Sequence, residues 1–169
     1  MKKRFLAILA IAAIVTSFTG CGSSSDGETT KKAEAGTTTS KYYFEANGTK
    51  IHLGDLGEDV LSALGDANST FTALSCAFEG EDHMYMYDSY QITISTVDGK
   101  DVVTAISITN DMIGTPEGVK IGSTDAQVTE AMGVTTQESG NYQFTDGNTT
   151  VAIVVKDDEV ISINYTYNV

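Results

Sequence analysis

Apolar and polar residues alternate with a period of two in four segments, which predicts β-strands at 91–97, 103–109, 149–155 and 160–167. In the first of these, Ile92 and Ile94 share one side and Thr93 and Ser95 share the other. Such alternation is typical of antiparallel strands with one covered face. Turn sequences separate the strands, for example Asp98-Gly99 and Asp146-Gly147. A shorter lead strand is expected at 42–46.

A helical period precedes each group of strands. Leu56, Val60, Leu61 and Leu64 fall on one face of a short helix that Gly65 would end. Asp55 and Glu58 have the spacing of a capping box at its start.

A second short helix is predicted before the second group of strands. Val128 and Met132 would face inward, and Gly133 would end the helix. Either Ser123 or Thr124 would cap it, with Gln127 three residues after Thr124.

Four short motifs occur twice in the same order, which predicts an internal repeat. Gly48-Thr49-Lys50-Ile51 returns as Gly118-Val119-Lys120-Ile121, and Ile106-Ser107-Ile108 returns as Ile161-Ser162-Ile163. The helix motif ending at Gly65 and the motif Tyr85-Met86-Tyr87 have similar counterparts. The expected fold class is therefore α+β: a tandem repeat of a short helix plus about three antiparallel strands. Helices would cover one face of the sheet.

The repeated unit resembles the architecture of beta-lactamase inhibitory protein. Its helix pattern, with Ile51, Gly54, Val60, Leu64 and Gly65, is loosely similar to outer-membrane assembly lipoproteins of the SmpA/OmlA type. A closer resemblance rests on Ser75-Cys76-Ala77-Phe78-Glu79-Gly80 and on 115–122. These segments are similar to a group of surface lipoproteins from gut Firmicutes. That resemblance implies a surface lipoprotein and no particular activity.

The first 21 residues have the organisation of a lipoprotein signal. Lys2, Lys3 and Arg4 precede an apolar run at 5–15, and Phe18-Thr19-Gly20-Cys21 resembles a lipobox. The resemblance implies cleavage before Cys21, a lipid thioether on its sulfur and a fatty-acyl group such as palmitate on its amino group. The expected organisation is a signal peptide at 1–20 and a Ser/Thr/Gly-rich tether at 21–40. A globular domain follows at 41–169, with repeats at 41–111 and 112–169.

Charge narrows the range of partners. The chain has 10 basic and 23 acidic residues, and Lys2, Lys3 and Arg4 belong to the signal. Because Arg4 is the only arginine, the mature chain would have no arginine and a large excess of carboxylates. Nucleic acid is therefore excluded as a partner. The lipid on Cys21 would supply the attachment to the extracellular face of the cytoplasmic membrane. A Gram-positive cell is favoured, and a host with two membranes is the alternative.

Residues with potential chemistry are few. Glu79, Glu81 and Asp82 lie within five residues of one another. They could form a weak Ca²⁺ site, or they could belong to a solvated loop. Cys76, among apolar neighbours, is expected to be a small buried residue. A hydrolase that uses Cys76 or His83 is the remaining enzymatic alternative. No cofactor is expected.

The leading hypothesis is a non-enzymatic surface lipoprotein that binds an envelope or secreted protein through the face or edge of its sheet. Tyrosines are enriched at protein interfaces, and serine and threonine side chains would line the open face. A calcium-responsive extracellular module is the main alternative. The candidate binding residues are Tyr85, Tyr87, Tyr90, Thr93, Ser95, Ser107, Thr109, Tyr142, Ser162 and Asn164.

Overall fold

The computed structural model describes residues 40–169. The signal sequence, Cys21 and nearly all of the expected tether lie outside the described residues. The helices are α1 (Gly57–Leu64) and α2 (Asp125–Met132). The strands are β1 (Phe44–Ala46), β2 (Thr49–Ile51), β3 (Ser69–Leu74), β4 (Glu79–Met86), β5 (Tyr90–Val97), β6 (Lys100–Ile108), β7 (Asn141–Asp146), β8 (Thr149–Lys156) and β9 (Glu159–Tyr167).

Seven of the strands form one antiparallel sheet in the order β3-β4-β5-β6-β9-β8-β7. The pairing registers align one residue from each strand in a row across the sheet. On the covered face, which packs against the helices, one such row is Thr70, Tyr85, Ile92, Ile106, Tyr165, Val151 and Phe144. On the opposite, open face, a neighbouring row is Phe71, Met84, Thr93, Ala105, Thr166, Thr150 and Thr145. The sequence therefore builds a sheet with one apolar face and one mostly polar face.

The strands predicted from alternation agree with β5, β6, β8 and β9 within a few residues. The lead strand is shorter than predicted and forms a separate hairpin, in which β1 pairs with β2 and not with the large sheet. That hairpin packs on the covered face. The ring of Phe44 lies 5.0 Å from the ring of Tyr90 and 6.1 Å from that of Tyr165, centroid to centroid.

Both helices are short and each places apolar side chains in the core. Val60 and Leu64 of α1 are buried, and so is Val128 of α2. Helices of eight residues are not stable in isolation, so these contacts with the sheet hold them in place.

The cap of α2 is as predicted, whereas the cap of α1 is not. The Thr124 hydroxyl accepts a hydrogen bond from the Gln127 backbone, and the Gln127 side chain accepts one from Thr124 N–H. In α1 the N-cap residue is Leu56, which has no side-chain cap. Asp55 instead accepts a hydrogen bond from His52 N–H at 2.7 Å, so its carboxylate stabilises the preceding turn.

The segments that lead into the two helices make matching hydrogen bonds to the sheet. Gly54 N–H donates to the Val103 carbonyl at 2.8 Å, and Val103 N–H donates to the backbone carbonyl of Asp55 at 2.9 Å. In the second half, Gly122 N–H donates to the Val160 carbonyl, and Val160 N–H donates to the backbone carbonyl of Ser123, both at 2.8 Å. The sheet register shifts next to Val103 and Val160 in both cases.

Within residues 40–169, no helix has the length and apolar character needed to cross a membrane.

Candidate functional site

Strand β3 is a free edge of the large sheet. Its six residues, Ser69–Leu74, contain no charge, no proline and no glycine. Natural proteins usually protect an edge with lysine, proline or a bulge, because its unpaired backbone groups can join another strand. Phe71 is 54% exposed and Leu74 is 80% exposed. This edge therefore combines free backbone groups with exposed apolar side chains.

The pairing pattern identifies which backbone groups of β3 point outward. Ser75 N–H donates to the Gly80 carbonyl at 3.0 Å, and this pair continues the β3–β4 register. Hydrogen-bonded and non-hydrogen-bonded pairs alternate along an antiparallel ladder. The backbone groups of Ser69, Phe71 and Ala73 therefore face β4, and those of Thr70, Thr72 and Leu74 face away from the sheet.

A groove runs between α1 and the β3–β4 part of the covered face. It consists of two adjoining cavities of about 440 and 550 Å³ that share Leu61 and Tyr85. Glu58 and His83 line the first cavity, and Asp66 and Tyr87 line the second. Helix α1 and strand β4 therefore run parallel to each other on opposite sides of the groove. The groove forms because β3 and β4 extend the sheet beyond the area that α1 covers.

Tyr87 fixes one end of the groove. Its hydroxyl donates a 3.1 Å hydrogen bond to the carbonyl of Gly65, which ends α1. Its ring stacks on that of Tyr90 at 4.8 Å. Burial, together with Tyr85 and Asp66, raises the pKa of Tyr87 above its ordinary value, so the hydroxyl keeps its donated proton to a higher pH than an unperturbed tyrosine. Tyr87 thus connects the helix end to the sheet.

The groove carries more negative than positive charge. Glu58, Asp66 and Asp101 line it, together with one cation, Lys100. Thr96 donates a hydrogen bond to Asp101 at 2.7 Å, so part of that carboxylate is already engaged. Glu58 and Asp66 are exposed and lie at the two ends of α1.

The open face beside β3 has a different character. Phe71 pairs with Met84, and Ser69 pairs with Met86 on the neighbouring strand. Farther across this face, Ser107 donates to Asn164 at 2.7 Å, and Asn164 donates to Ser162 at 2.7 Å. The side chains nearest the edge are thus apolar, and those near the centre are uncharged and mutually hydrogen-bonded.

The predicted binding residues do not form one surface. Thr93, Ser107, Ser162 and Asn164 share the open face, and Thr109 is exposed just after β6. Tyr85 and Tyr87 lie on the covered face and line the groove. Tyr90 and Tyr142 are buried in the core, so their expected place on an exposed face is wrong.

Ser95 is also buried, at 1% exposure, and cannot contact a partner. Its hydroxyl donates to Asp82 at 2.5 Å and is 2.7 Å from the Thr104 hydroxyl. A buried polar group needs such partners, because leaving it unpaired costs free energy. Ser95 and Asp82 therefore form an internal connection between β4, β5 and β6.

The structure does not bring the predicted calcium ligands together. Glu79, Glu81 and Asp82 lie in strand β4 and not in a loop, so successive side chains alternate between faces. Glu81 pairs with Leu74, whereas Asp82 pairs with Ala73 and contacts Ser95. Within the described part of the chain, no three His, Cys, Asp or Glu side chains are placed to hold a metal ion.

Cys76 is exposed, which corrects the expectation that it is buried. It lies at the tip of the β3–β4 hairpin, where Ser75 accepts hydrogen bonds from Ala77 and Phe78 N–H. Apolar neighbours in sequence do not bury a residue at a hairpin tip. His83 lies in β4, with Nδ1 3.2 Å from the Thr72 hydroxyl.

Strand β3 was not among the predicted elements. A signal was present, because Phe71 and Ala73 alternate with Thr70 and Thr72, and phenylalanine and threonine favour strands. The segment was too short and too weakly apolar to stand out beside the longer strands that follow it.

Comparisons with known proteins assign no family. No family model matches the chain, and no curated protein matches it significantly. One crystal structure that it is similar to is an extracellular protein containing a SCP domain from Bacillus anthracis str. Ames. The identity is 12% and the TM-score 0.42, over 82% of this chain and 49% of that one. The chain thus spans about half the length of this structural neighbour.

Proposed function

We propose that this chain is a non-enzymatic surface lipoprotein whose domain captures an extended polypeptide segment by adding it to the sheet at β3. The observation that carries the proposal is the uncharged free edge of Ser69–Leu74. Strand addition gives affinity through backbone hydrogen bonds and specificity through side chains that alternate between the two faces. An added strand would cover Phe71 on the open face and Leu74 on the groove side.

The β3 edge is far from the point where the chain enters the domain. Lys41 N–H donates to the Asp146 carboxylate at 2.6 Å, so the chain enters the domain beside β7. Strands β7 and β3 are the two ends of the sheet, six strand spacings or about 29 Å apart. Residue 41, where the expected tether joins the domain, therefore lies at the end of the sheet opposite to β3.

An internal duplication explains why the β3 end of the sheet has one strand more than the β7 end. We propose that 41–111 and 112–169 are two repeats, which the matching hydrogen bonds of Val103 and Val160 support. The order β4-β5-β6-β9-β8-β7 is symmetrical about the β6–β9 pair, and β3 has no counterpart in the second half. The extra strand creates both the edge and the groove.

The calcium-responsive and hydrolase alternatives lack a supporting arrangement. Glu81 and Asp82 are successive residues of β4 and point to opposite faces, and the ring of His83 contacts Thr72. The binding function is therefore preferred over both.

A proline substitution at Thr72 tests the proposed edge. Thr72→Pro removes a backbone N–H that points outward, and edge strands tolerate proline at such positions. Thr72→Val is the matched control, because both substitutions remove the hydroxyl that contacts His83, but valine keeps the N–H. We expect the proline variant to lose at least 10-fold in affinity for a labelled valine- and threonine-rich peptide, measured by fluorescence anisotropy.

The interpretation of that experiment depends on comparable folding. Circular dichroism should show the same strand content in both variants. Equal peptide affinity in two folded variants would contradict strand addition at β3.

The lipid anchor is tested separately in cells. In a Gram-positive host given labelled palmitate, the full chain should become labelled and remain with the membrane fraction. Cys21→Ala should abolish both. Membrane retention and label that persist in Cys21→Ala would refute the anchor without affecting the proposed edge.

A further inference from the structure

We infer that the segment captured at β3 is a two-sided cationic strand, with basic residues four positions apart on the groove side and apolar residues on the other side. This inference rests on the proposed function and specifies the class of partner. It is drawn from three features: the charge of the domain, the distance between two carboxylates, and the different chemistry of the two faces beside β3.

The first feature is the overall charge. Of the 23 acidic residues in the sequence, Asp26, Glu28 and Glu34 precede the described domain, which leaves 20. The basic residues from residue 40 onward are only Lys41, Lys50, Lys100, Lys120 and Lys156. A domain with this excess of negative charge repels a second copy of itself and attracts a cationic partner.

The second feature is the spacing of Glu58 and Asp66. Glu58 lies in the first turn of α1, and Asp66 lies two residues after its last residue, Leu64. The helical rise from residue 58 to residue 64 is about 9 Å, and the two residues that follow add at most about 7 Å, so Glu58 and Asp66 lie up to about 16 Å apart. Residues i and i+4 of an extended strand are about 13 Å apart and point to the same face. A strand parallel to β3 would thus present two basic side chains at a separation within this range. The long, flexible stems of lysine and arginine can extend across the groove to reach them.

The third feature is the difference between the two faces. On the groove side, Thr70 lines the same cavity as Asp66, Thr72 shares that side of β3, and the exposed Leu74 is the apolar residue there, at the hairpin end of the strand. On the open face, Phe71 pairs with Met84 and lies on the same face as Met86. Apolar residues at positions i+1 and i+3 of the incoming strand would cover this apolar area and remove it from water.

Three nine-residue peptides test the inference on the full chain purified in non-ionic detergent. The first, Thr-Val-Lys-Val-Thr-Val-Lys-Val-Thr, places two lysines four positions apart. The second replaces both lysines with glutamine, and the third replaces them with glutamate. We expect the lysine peptide to bind at least 10-fold more tightly than the glutamine peptide, and the glutamate peptide to bind most weakly.

Two variants with the same change in net charge distinguish attraction of the peptide to the two groove carboxylates from attraction to the overall negative charge of the domain. Glu58→Gln with Asp66→Asn should reduce the lysine-to-glutamine affinity ratio to about 1–3. Glu130→Gln with Asp157→Asn alters exposed sites in the second half of the chain and should keep the original ratio. Equal loss of preference in both variants would overturn the local recognition that we infer.

The outcomes distinguish this inference from the proposed function. Equal binding of all three peptides, abolished by Thr72→Pro, would overturn charge selection but retain strand addition. The absence of binding by every peptide would overturn both. A dimer without peptide, converted to a monomer by Thr72→Pro, would show that a second copy occupies the edge and would overturn the cationic strand as its occupant.

Discussion

The hydroxyl of Tyr142 donates a hydrogen bond to the carboxylate of Asp125 and thereby connects the edge strand β7 to the first turn of α2. Tyr142 is 1% exposed, and its oxygen also accepts a hydrogen bond from Gln137 N–H at 3.1 Å. Burial and the hydrogen bond to Asp125 raise the pKa of Tyr142, so the proton stays on the phenol. One side chain thus holds a strand, a helix and the loop between them.

Removing the Tyr142 hydroxyl should lower stability more than its size suggests. Tyr142→Phe keeps the ring but leaves Asp125 and Gln137 N–H without this partner. We expect a loss of about 1.5–3 kcal/mol in the free energy of unfolding, as for other hydrogen bonds to charged groups. Urea unfolding followed by circular dichroism measures it.

Tyr43→Phe is the control for this prediction. Tyr43 is half-buried and packs against His52 with the two rings tilted, and within residues 40–169 its hydroxyl makes no hydrogen bond. It should change stability by less than about 0.5 kcal/mol. A similar small change for Tyr142→Phe would mean that the Tyr142 hydroxyl contributes no net stabilisation.

The parts of the fold that the sequence predicted are those with strong local patterns. Alternation located β5 and β9 because each has eight or nine residues with one buried face. Thr124 was recognised as a candidate cap because a capping box depends only on residues three positions apart. Local rules were sufficient for these elements.

The candidate site depends on contacts that local rules do not describe. The position of β3 at the edge of the sheet follows from the pairing of β6 with β9, two strands that are far apart in sequence. Tyr85 and Tyr142 appear equivalent in the repeat motif, yet Tyr142 is buried, whereas Tyr85 lines a groove because β3 extends the sheet beside it. The two tyrosines therefore differ in exposure because the first half of the sheet contains the additional strand β3.

Gly57 is expected to be required for the close packing of α1 on the sheet. A Cβ atom at Gly57 would lie 2.7 Å from Cδ1 and 2.9 Å from Cγ2 of Ile94, which is buried. The crowding outweighs the helix propensity gained from alanine, which is at most about 1 kcal/mol. Gly57→Ala should therefore lower the free energy of unfolding by roughly 1–2 kcal/mol.

A double-mutant cycle tests the cause of that loss. Ile94→Val removes Cδ1, so Gly57→Ala should be less destabilising in the Ile94→Val background. Ser62→Ala, on the exposed side of the same helix, should be neutral or slightly stabilising. An equal effect of Gly57→Ala in both backgrounds would rule out crowding against the Ile94 Cδ1 atom.

The thiol of Cys76 should react in the native protein. Because it is exposed at a hairpin tip, a disulfide reagent should modify it within about 10-fold of the rate in denaturant. The signal should disappear in Cys76→Ser, which also corrects for any contribution from Cys21. The same variant should change stability by less than about 0.5 kcal/mol. Modification that requires denaturant would contradict the exposed position.

Stability should fall at alkaline pH because buried tyrosines keep their protons in the folded state. Burial raises the pKa of Tyr90 to about 12 and raises the pKa of Tyr165 strongly as well. Tyrosine in an unfolded chain loses its proton at about pH 10. Between pH 10 and 12 the unfolded state therefore binds fewer protons, and the free energy of unfolding decreases as pH rises.

Melting temperatures of the wild type and of Tyr90→Phe, measured from pH 8 to 11.5, test this. The two should differ by a constant amount below pH 10, and above pH 10 the wild type should lose more melting temperature than Tyr90→Phe, because the variant has one phenol fewer to ionise on unfolding. Parallel curves throughout would show that the Tyr90 proton does not contribute to the alkaline loss.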